Sequence, residues 1–406
     1  MRGIPSSMLL FVFAFVFLVE LISYWGVRLL MHQVSPRIKK GISIFYVFVG
    51  IAATTLLLYA FLNPELIRQS RNYNLFYLVI SITFLNLIPK SVFAFVTAFS
   101  FLIRWLSFRS WQLVSLAGAT ILCAGIFLSI LFGIFAGRNM IRVEKQVIYF
   151  PDLPVQLDGF KIVQISDIHL GSFGKDAETL KKSIAAINQL NPDLLLFTGD
   201  MVNNFGDEIS GFEPYLKQFS AKYGKYAIQG NHDYGDYSNW PDSVSKRKNL
   251  EQIETGIRNS GFELLLNQWQ KISVKDSSFA LIGVENWGHK PFPQYADLEA
   301  AMQGIPDESF KILMTHDPIH WTSVVATQTD IPLTLSGHTH GGQFGIRVAG
   351  IEFSPMYLIS KTWGGLYRSD NKYLYVNRGL GTVGFVGRVE MRPEITLLTL
   401  RRTINR

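Results

Sequence analysis

Asp167 and His169 stand two residues apart in the turn SDIHLG (166–171), directly after the apolar run 160–165. A carboxylate oxygen and an imidazole nitrogen suit Mn, Fe or Zn, and on a bending loop both side chains reach one ion. Four later segments share the design: TGDMVN (198–203), QGNHDY (229–234), MTHDP (314–318) and SGHTHGG (336–342). Asp200 follows a glycine that lets the backbone turn sharply, and its two oxygens can bridge two cations. Asn231 offers a neutral amide, an uncommon but suitable ligand, and His232 beside it can face a substrate instead of an ion. His316, His338 and His340 complete the set. A two-metal centre hydrolysing phosphoesters is the chemistry these groups could perform together.

Each residue alone has a plainer reading. Asp200 could cap a helix, Asn231 could occupy a turn that tolerates left-handed backbone, and a single histidine is more often a satisfied core or loop residue than a ligand. Joint placement favours the metal reading. Five of the eight histidines fall in these turns, and His32, His289 and His320 do not.

The elements that must position the set follow from the flanking sequence. Each turn comes after a short apolar run that reads as a buried strand. In open α/β sheets ligands sit outside the carboxyl ends of strands, so the five strand ends are expected to meet along one edge of a sheet. Helices near 176–190, 243–259 and 296–302 would cover the sheets.

The order DxH, GD, GNHD, H, GHxH resembles the calcineurin-like metallophosphoesterase superfamily over about residues 160–342. The apolar N-terminal third and the GHTHGGQ form resemble its membrane-attached bacterial branch. The resemblance implies a calcineurin-like α/β/β/α sandwich with mixed sheets, and a phosphoric ester hydrolase that uses two divalent metal ions (Mn, Fe or Zn). By position it implies that Asp167, His169 and His340 hold one metal, that Asn231, His316 and His338 hold the other, and that Asp200 bridges them. His232 would be the unligated catalytic histidine near the leaving group, oriented by Asp233.

The charge is unevenly distributed. Residues 1–145 hold 13 Lys and Arg against Glu20, Glu65 and Glu144, and the remainder has 25 basic and 28 acidic residues. No basic stripe for nucleic acid is left outside the first third. Cys123 is the sole cysteine, so no intrachain disulfide can form.

Four apolar runs, 8–31, 41–62, 75–105 and 111–137, reach the roughly 20 residues a helix needs to cross a bilayer core. The first lacks an obvious small-residue cleavage site and more spans follow, so it reads as a span rather than a signal peptide. The expected organisation is an all-α four-helix transmembrane domain (1–139), then a metallophosphoesterase domain (140–406), in the bacterial plasma (inner) membrane. Pro89 and Lys90 fall inside the third run. They read as a kink whose lysine snorkels or pairs with an acid such as Glu20, or as a polar path through the bundle. Loop charges do not orient the chain: Arg2, Arg68, Arg71, Arg138, Arg142 and Lys145 on one side face Arg28, Arg37, Lys39, Lys40, Arg104 and Arg109 on the other.

Two further features bear on substrate. GLGTVG (379–384) matches a dinucleotide loop, but no convincing helix follows and no acid stands about 20 residues on. Arg378 beside it reads either as part of a surface turn or as a substrate-phosphate contact. Trp287, Phe292, Tyr295, Trp363 and Tyr367 read either as packed aromatics or as an apolar rim for a lipid tail. The expected substrate is a phosphomonoester or phosphodiester, with membrane lipid as a partner and a lipid-linked substrate favoured over a soluble one. A nucleotide-sugar lipid pyrophosphatase and a non-catalytic membrane sensor or scaffold are the alternatives.

Overall fold

The computed structural model describes residues 6–63, 73–105, 109–173, 177–288 and 293–403. Arg2, Arg68, Arg71, His289 and Phe292 lie outside them. Two compact units emerge, 1–135 with 384–387, and 136–383 with 388–406.

The first unit is built from α1 (Ser6–Leu30), α2 (Pro36–Leu62), α3 (Tyr73–Trp105) and α4 (Arg109–Phe135). All four are long and apolar enough to cross a membrane. The helix α2 starts ahead of its apolar run because Pro36 is pre-shaped for a first helical turn and Arg37, Lys39 and Lys40 are good helix formers. Pro89 sits inside α3, and its carbonyl accepts from Cys123 Sγ at 3.1 Å. Lys90 meets the first of the two fates read from sequence: its Nζ lies 2.8 Å from Glu20 Oε2, and Asn86 Nδ2 donates to Glu20 Oε1 at 2.8 Å. The Lys90 ammonium also stands 4.2 Å from the Tyr46 ring centroid. Pairing removes the cost of a lone charge at that depth.

The second unit holds two six-stranded sheets. One runs β1 (Arg142–Phe150), β14 (Glu394–Arg402), β2 (Lys161–Ile165), β3 (Leu194–Phe197), β4 (Lys225–Ala227) and β5 (Glu263–Leu264). From β2 to β5 its strands are parallel, while β14 runs antiparallel to β2. The other runs β12 (Gly365–Ser369), β13 (Lys372–Val376), β9 (Leu333–Ser336), β8 (Lys311–Met314), β7 (Ser277–Gly283) and β6 (Gln268–Val274). Its four inner strands are parallel and both edge strands antiparallel. A separate ribbon pairs β10 (Ile346–Val348) with β11 (Ile351–Phe353).

Strand period explains why the central strands read as unbroken apolar runs: both faces are covered. Leu194 and Leu196 join Leu281, Ile312, Leu333 and Leu335 between the sheets. Leu195 and Phe197 turn outward under α5 (Glu178–Leu190) and α6 (Ser243–Asn259), which contribute Ile184, Ile187, Ile253 and Ile257. On the far side Leu313, Leu374 and Val376 pack with Ala301 of α7 (Leu298–Met302) and Trp321. The result is the α/β/β/α layering with mixed sheets.

Candidate metal centre

The turns after β2, β3 and β4 come from one sheet and those after β8 and β9 from the other, so the expected single sheet edge is in fact shared between two. Asp167, His169, Asp200, His338 and His340 all have left-handed φ, between 48° and 74°. Non-glycine residues adopt this region at a cost of roughly 1–2 kcal/mol each. Interlocking turns hold them there: Asp167 N–H donates to Gly199 O at 2.9 Å and His169 N–H to Asp200 O at 3.1 Å. A Cβ on Gly337 would fall on Ser166 Oγ and Asp167 Oδ2, so the turns can approach only over a bare backbone. The GLGTVG segment finds its role here as well. Leu380 and Gly381 N–H groups donate to Ser166 O and Asp167 O at 2.9 and 2.8 Å, bracing the DxH turn.

The side chains converge on Asp200. His316 Nε2 is 3.1 Å and His169 Nε2 3.6 Å from Asp200 Oδ2. On one flank His169 Nε2 and His340 Nε2 are 3.1 Å apart, and His340 Nε2 is 3.3 Å from Asp167 Oδ1. On the other, Asn231 Oδ1 lies 3.0 Å from His316 Nε2 and 2.8 Å from His338 Nδ1. Asp167, His169 and His340 form one group whose ligand atoms lie within 4.8 Å of one another, as do Asp200, His316 and His338. His232 forms a third such group with His169 and Asp200.

Hydrogen bonding fixes which atoms face inward. His316 Nδ1 must donate to Thr198 O, 2.7 Å away, so a neutral ring turns its Nε2 lone pair toward two other acceptors. Asn231 Nδ2 donates to Tyr237 OH at 2.7 Å, which aims Oδ1 at the same point. Buried acceptors facing one another require positive charge between them. Burial would lower His316, yet the Asp200 carboxylate overrides it and pushes the imidazole up to about 10. Burial opposes ionisation of Asp167 and Asp200, but the histidines around them hold both carboxyls below their usual range. The donor set, oxygen and imidazole nitrogen with no sulfur, fits first-row divalent cations.

One reading from sequence changes, and two that were left open are decided. Asp233 does not orient His232: its carboxylate accepts from the N–H groups of Asp200, Met201, Val202 and Gly230 at 2.9–3.2 Å and braces the GD turn. Burial and the Asp200 charge push it up to about 7 against those donors. His232 is set by Asn203 instead, with Nδ1 donating to that carbonyl at 2.7 Å, which leaves Nε2 as the acceptor when the ring is neutral. Arg378 is not placed as a phosphate contact, because its terminal nitrogens pair with Glu394 and Glu352. The aromatic rim is not formed by its described members: Trp363 is buried, Tyr295 stacks on Tyr234 and Trp287 on His320, and Tyr367 OH bonds the backbone at Trp363 and Gly364.

Arg388 and Tyr237 escaped the sequence reading. Arg388 is fully buried, donates to Gly381 O and Met391 O, and reaches His340 Nδ1 at 3.1 Å. Burial holds His340 below the usual histidine range and Arg388 pushes the same way, while Asp167 opposes them. Nothing local marks Arg388, which lies outside every motif. Tyr237 stacks on His232 with centroids 4.3 Å apart, and its place a few residues beyond GNHD was the available signal.

Residues 160–342 match the model of the calcineurin-like phosphoesterase family. The uncharacterized metallophosphoesterase YkuE of Bacillus subtilis is 35% identical over 269 residues, 65% of this chain and 87% of that protein. The phosphodiesterase YaeI of Escherichia coli is 29% identical over 59% of this chain and 82% of its own length. A transmembrane protein with metallophosphoesterase domain from Danio rerio is 30% identical over 67% of this chain and 60% of that protein. The chain is a membrane protein and a metal-dependent phosphoester hydrolase. It belongs to the calcineurin-like phosphoesterase family.

Proposed function

We propose that residues 1–139 anchor the chain in the bacterial inner membrane as a multi-pass bundle, and that residues 140–406 hydrolyse phosphomonoesters or phosphodiesters with two divalent cations, of Mn, Fe or Zn. Asp167, His169 and His340 hold one cation, Asn231, His316 and His338 the other, and Asp200 is shared. The observation that carries this reading is the approach of His169 and His316 to the same carboxylate oxygen from opposite flanks. When bound, such a pair supplies a hydrolytic nucleophile at neutral pH and neutralises the phosphate. The chain's own contribution is to position and to move a proton. Thr198 and Asn203 carbonyls fix His316 and His232 in single tautomers. His232, left unligated in this assignment, gives a proton to the leaving oxygen from Nε2 when its ring carries both protons. A lipid-linked phosphoester is the favoured substrate, in keeping with the membrane anchor.

The test is hydrolysis of bis-p-nitrophenyl phosphate with Mn²⁺ by the purified full chain and its Asp200→Ala variant. Native turnover that vanishes in the variant is expected, and unchanged turnover would end the proposal. A substrate panel then separates cleavage of P–O–C bonds from the P–O–P bond of a nucleotide-sugar lipid. Metal binding without turnover across the panel would favour a sensor or scaffold.

A further inference from the structure

The β10–β11 ribbon has two unlike faces. Its antiparallel register sets Ile346 opposite Phe353 and Val348 opposite Ile351, so four apolar side chains share one face while Arg347 and Glu352 share the other. The charged face is anchored. Arg347 pairs with Glu352 at 3.0 Å and Glu144 at 3.1 Å, Arg142 reaches Glu352 at 3.4 Å, and Arg378 holds the same carboxylate. The apolar face is turned to solvent, with Ile346, Val348, Ile351 and Phe353 49–76% exposed. Just beyond it Leu358 and Ile359 are 79% and 82% exposed, and Lys361 Nζ stands 3.7 Å from the Tyr357 ring centroid. An exposed apolar face of this kind, followed closely in sequence by two more exposed aliphatic side chains, marks an interaction surface.

We propose that this face enters the acyl boundary of the bilayer that holds the chain's own helices. Two observations select lipid over a second copy or another protein. The anchors of the charged face, Arg142 and Glu144, open β1, and residues 136–141 alone separate that strand from Phe135 at the end of α4. So short a connector reaches ~20 Å at most, which tethers the ribbon near the headgroups. Lys361 is also exposed there, and its pairing with the Tyr357 ring is the amphipathic combination favoured at a membrane interface. The patch is joined to the site, because Ser354 Oγ donates to Gly341 O at 2.7 Å beside His340. Seating it in lipid presents the cage to phosphoesters carried by the membrane, a step that rests on the function proposed above; the lipid contact itself does not.

The test uses the full chain with Cys123→Ser, reconstituted in nanodiscs of phosphatidylcholine and phosphatidylglycerol. An environment-sensitive fluorophore is placed at Ile351→Cys or Leu358→Cys, with Asp276→Cys in the exposed β6–β7 turn as control. Doxyl-labelled lipid is expected to quench the two patch probes about twofold more than the control, and aqueous iodide to quench them less. Iodide quenching equal to the control overturns the proposal. So does protection from both quenchers, the signature of a covering protein or second copy. In a second arm, Ile351→Asp with Leu358→Asp is expected to lower turnover of a vesicle-borne phosphodiester about tenfold while bis-p-nitrophenyl phosphate is cleaved as before. Equal effects on both substrates, or none on the lipid one, overturn the substrate step. No native turnover of either substrate counts against the hydrolase reading and leaves the quenching result standing.

Discussion

His232 and Asp233 are neighbours in sequence with unrelated tasks. The imidazole faces the cage with its tautomer set by Asn203, whereas the carboxylate lies beneath it and gathers four backbone N–H groups. Their variants should therefore fail differently. His232→Asn is expected to lower turnover on the order of 100-fold, with a loss that grows as the leaving group becomes more basic. Asp233→Asn replaces one accepting oxygen by a donor that faces donors, and is expected to cost on the order of 3 kcal/mol of stability. Leaving-group series and thermal unfolding of the two proteins measure the contrast. If Asp233→Asn changed leaving-group dependence at native stability, the carboxylate would act on the imidazole after all.

Two elements carry charge logic that can be tested alone. In the α1–α3 pair, Lys90→Met leaves Glu20 without its cation and is expected to cost about 3 kcal/mol, and adding Glu20→Gln should recover most of it. Thermal unfolding in detergent reads both, and a double variant no better than the single one would show that the pair is not the cause. The turn after β8 holds His320 fully buried, stacked on Trp287 and bonded to Thr315 Oγ1 at 3.0 Å. Burial pushes this imidazole down to about 4, with Asp317 opposing. A histidine held below its unfolded value stays neutral in the native state while the unfolded chain takes up a proton. Its stabilising effect is therefore complete above about pH 6.5 and is lost as pH falls toward 4, to a limit of roughly 3 kcal/mol. His320→Gln should flatten the stability profile between pH 6.5 and 4 relative to the native chain, and equal slopes would exclude His320 as its source.

For the molecule as a whole, cations bound by the native cage and not by the unfolded chain should raise stability together with activity. Exhaustive chelation is expected to abolish turnover and lower the unfolding temperature, and Mn²⁺ at about 100 times its dissociation constant should restore about 3 kcal/mol. Recovery of turnover without any thermal shift would place the cations elsewhere. Much of the fold was legible because strand and span signals are local: 194–197 and 333–336 are apolar throughout since both faces are covered, and the runs beginning at 8, 41, 75 and 111 have the length a bilayer demands. The residue types at the strand ends were legible for the same reason, since each turn keeps its polar groups next to its own strand. Partnerships were not. The exchange of Asp233 from imidazole to the backbone of residues 200–202, the capture of Arg378 by Glu352 and Glu394, and the buried Arg388 behind His340 all arise from contacts between segments well separated in sequence. By itself the sequence determined which groups the chain offers for metal chemistry and that its first third belongs in a membrane. Which groups turn toward one another was decided only by the tertiary structure, because a side chain's partner is set by through-space packing that no local spacing encodes.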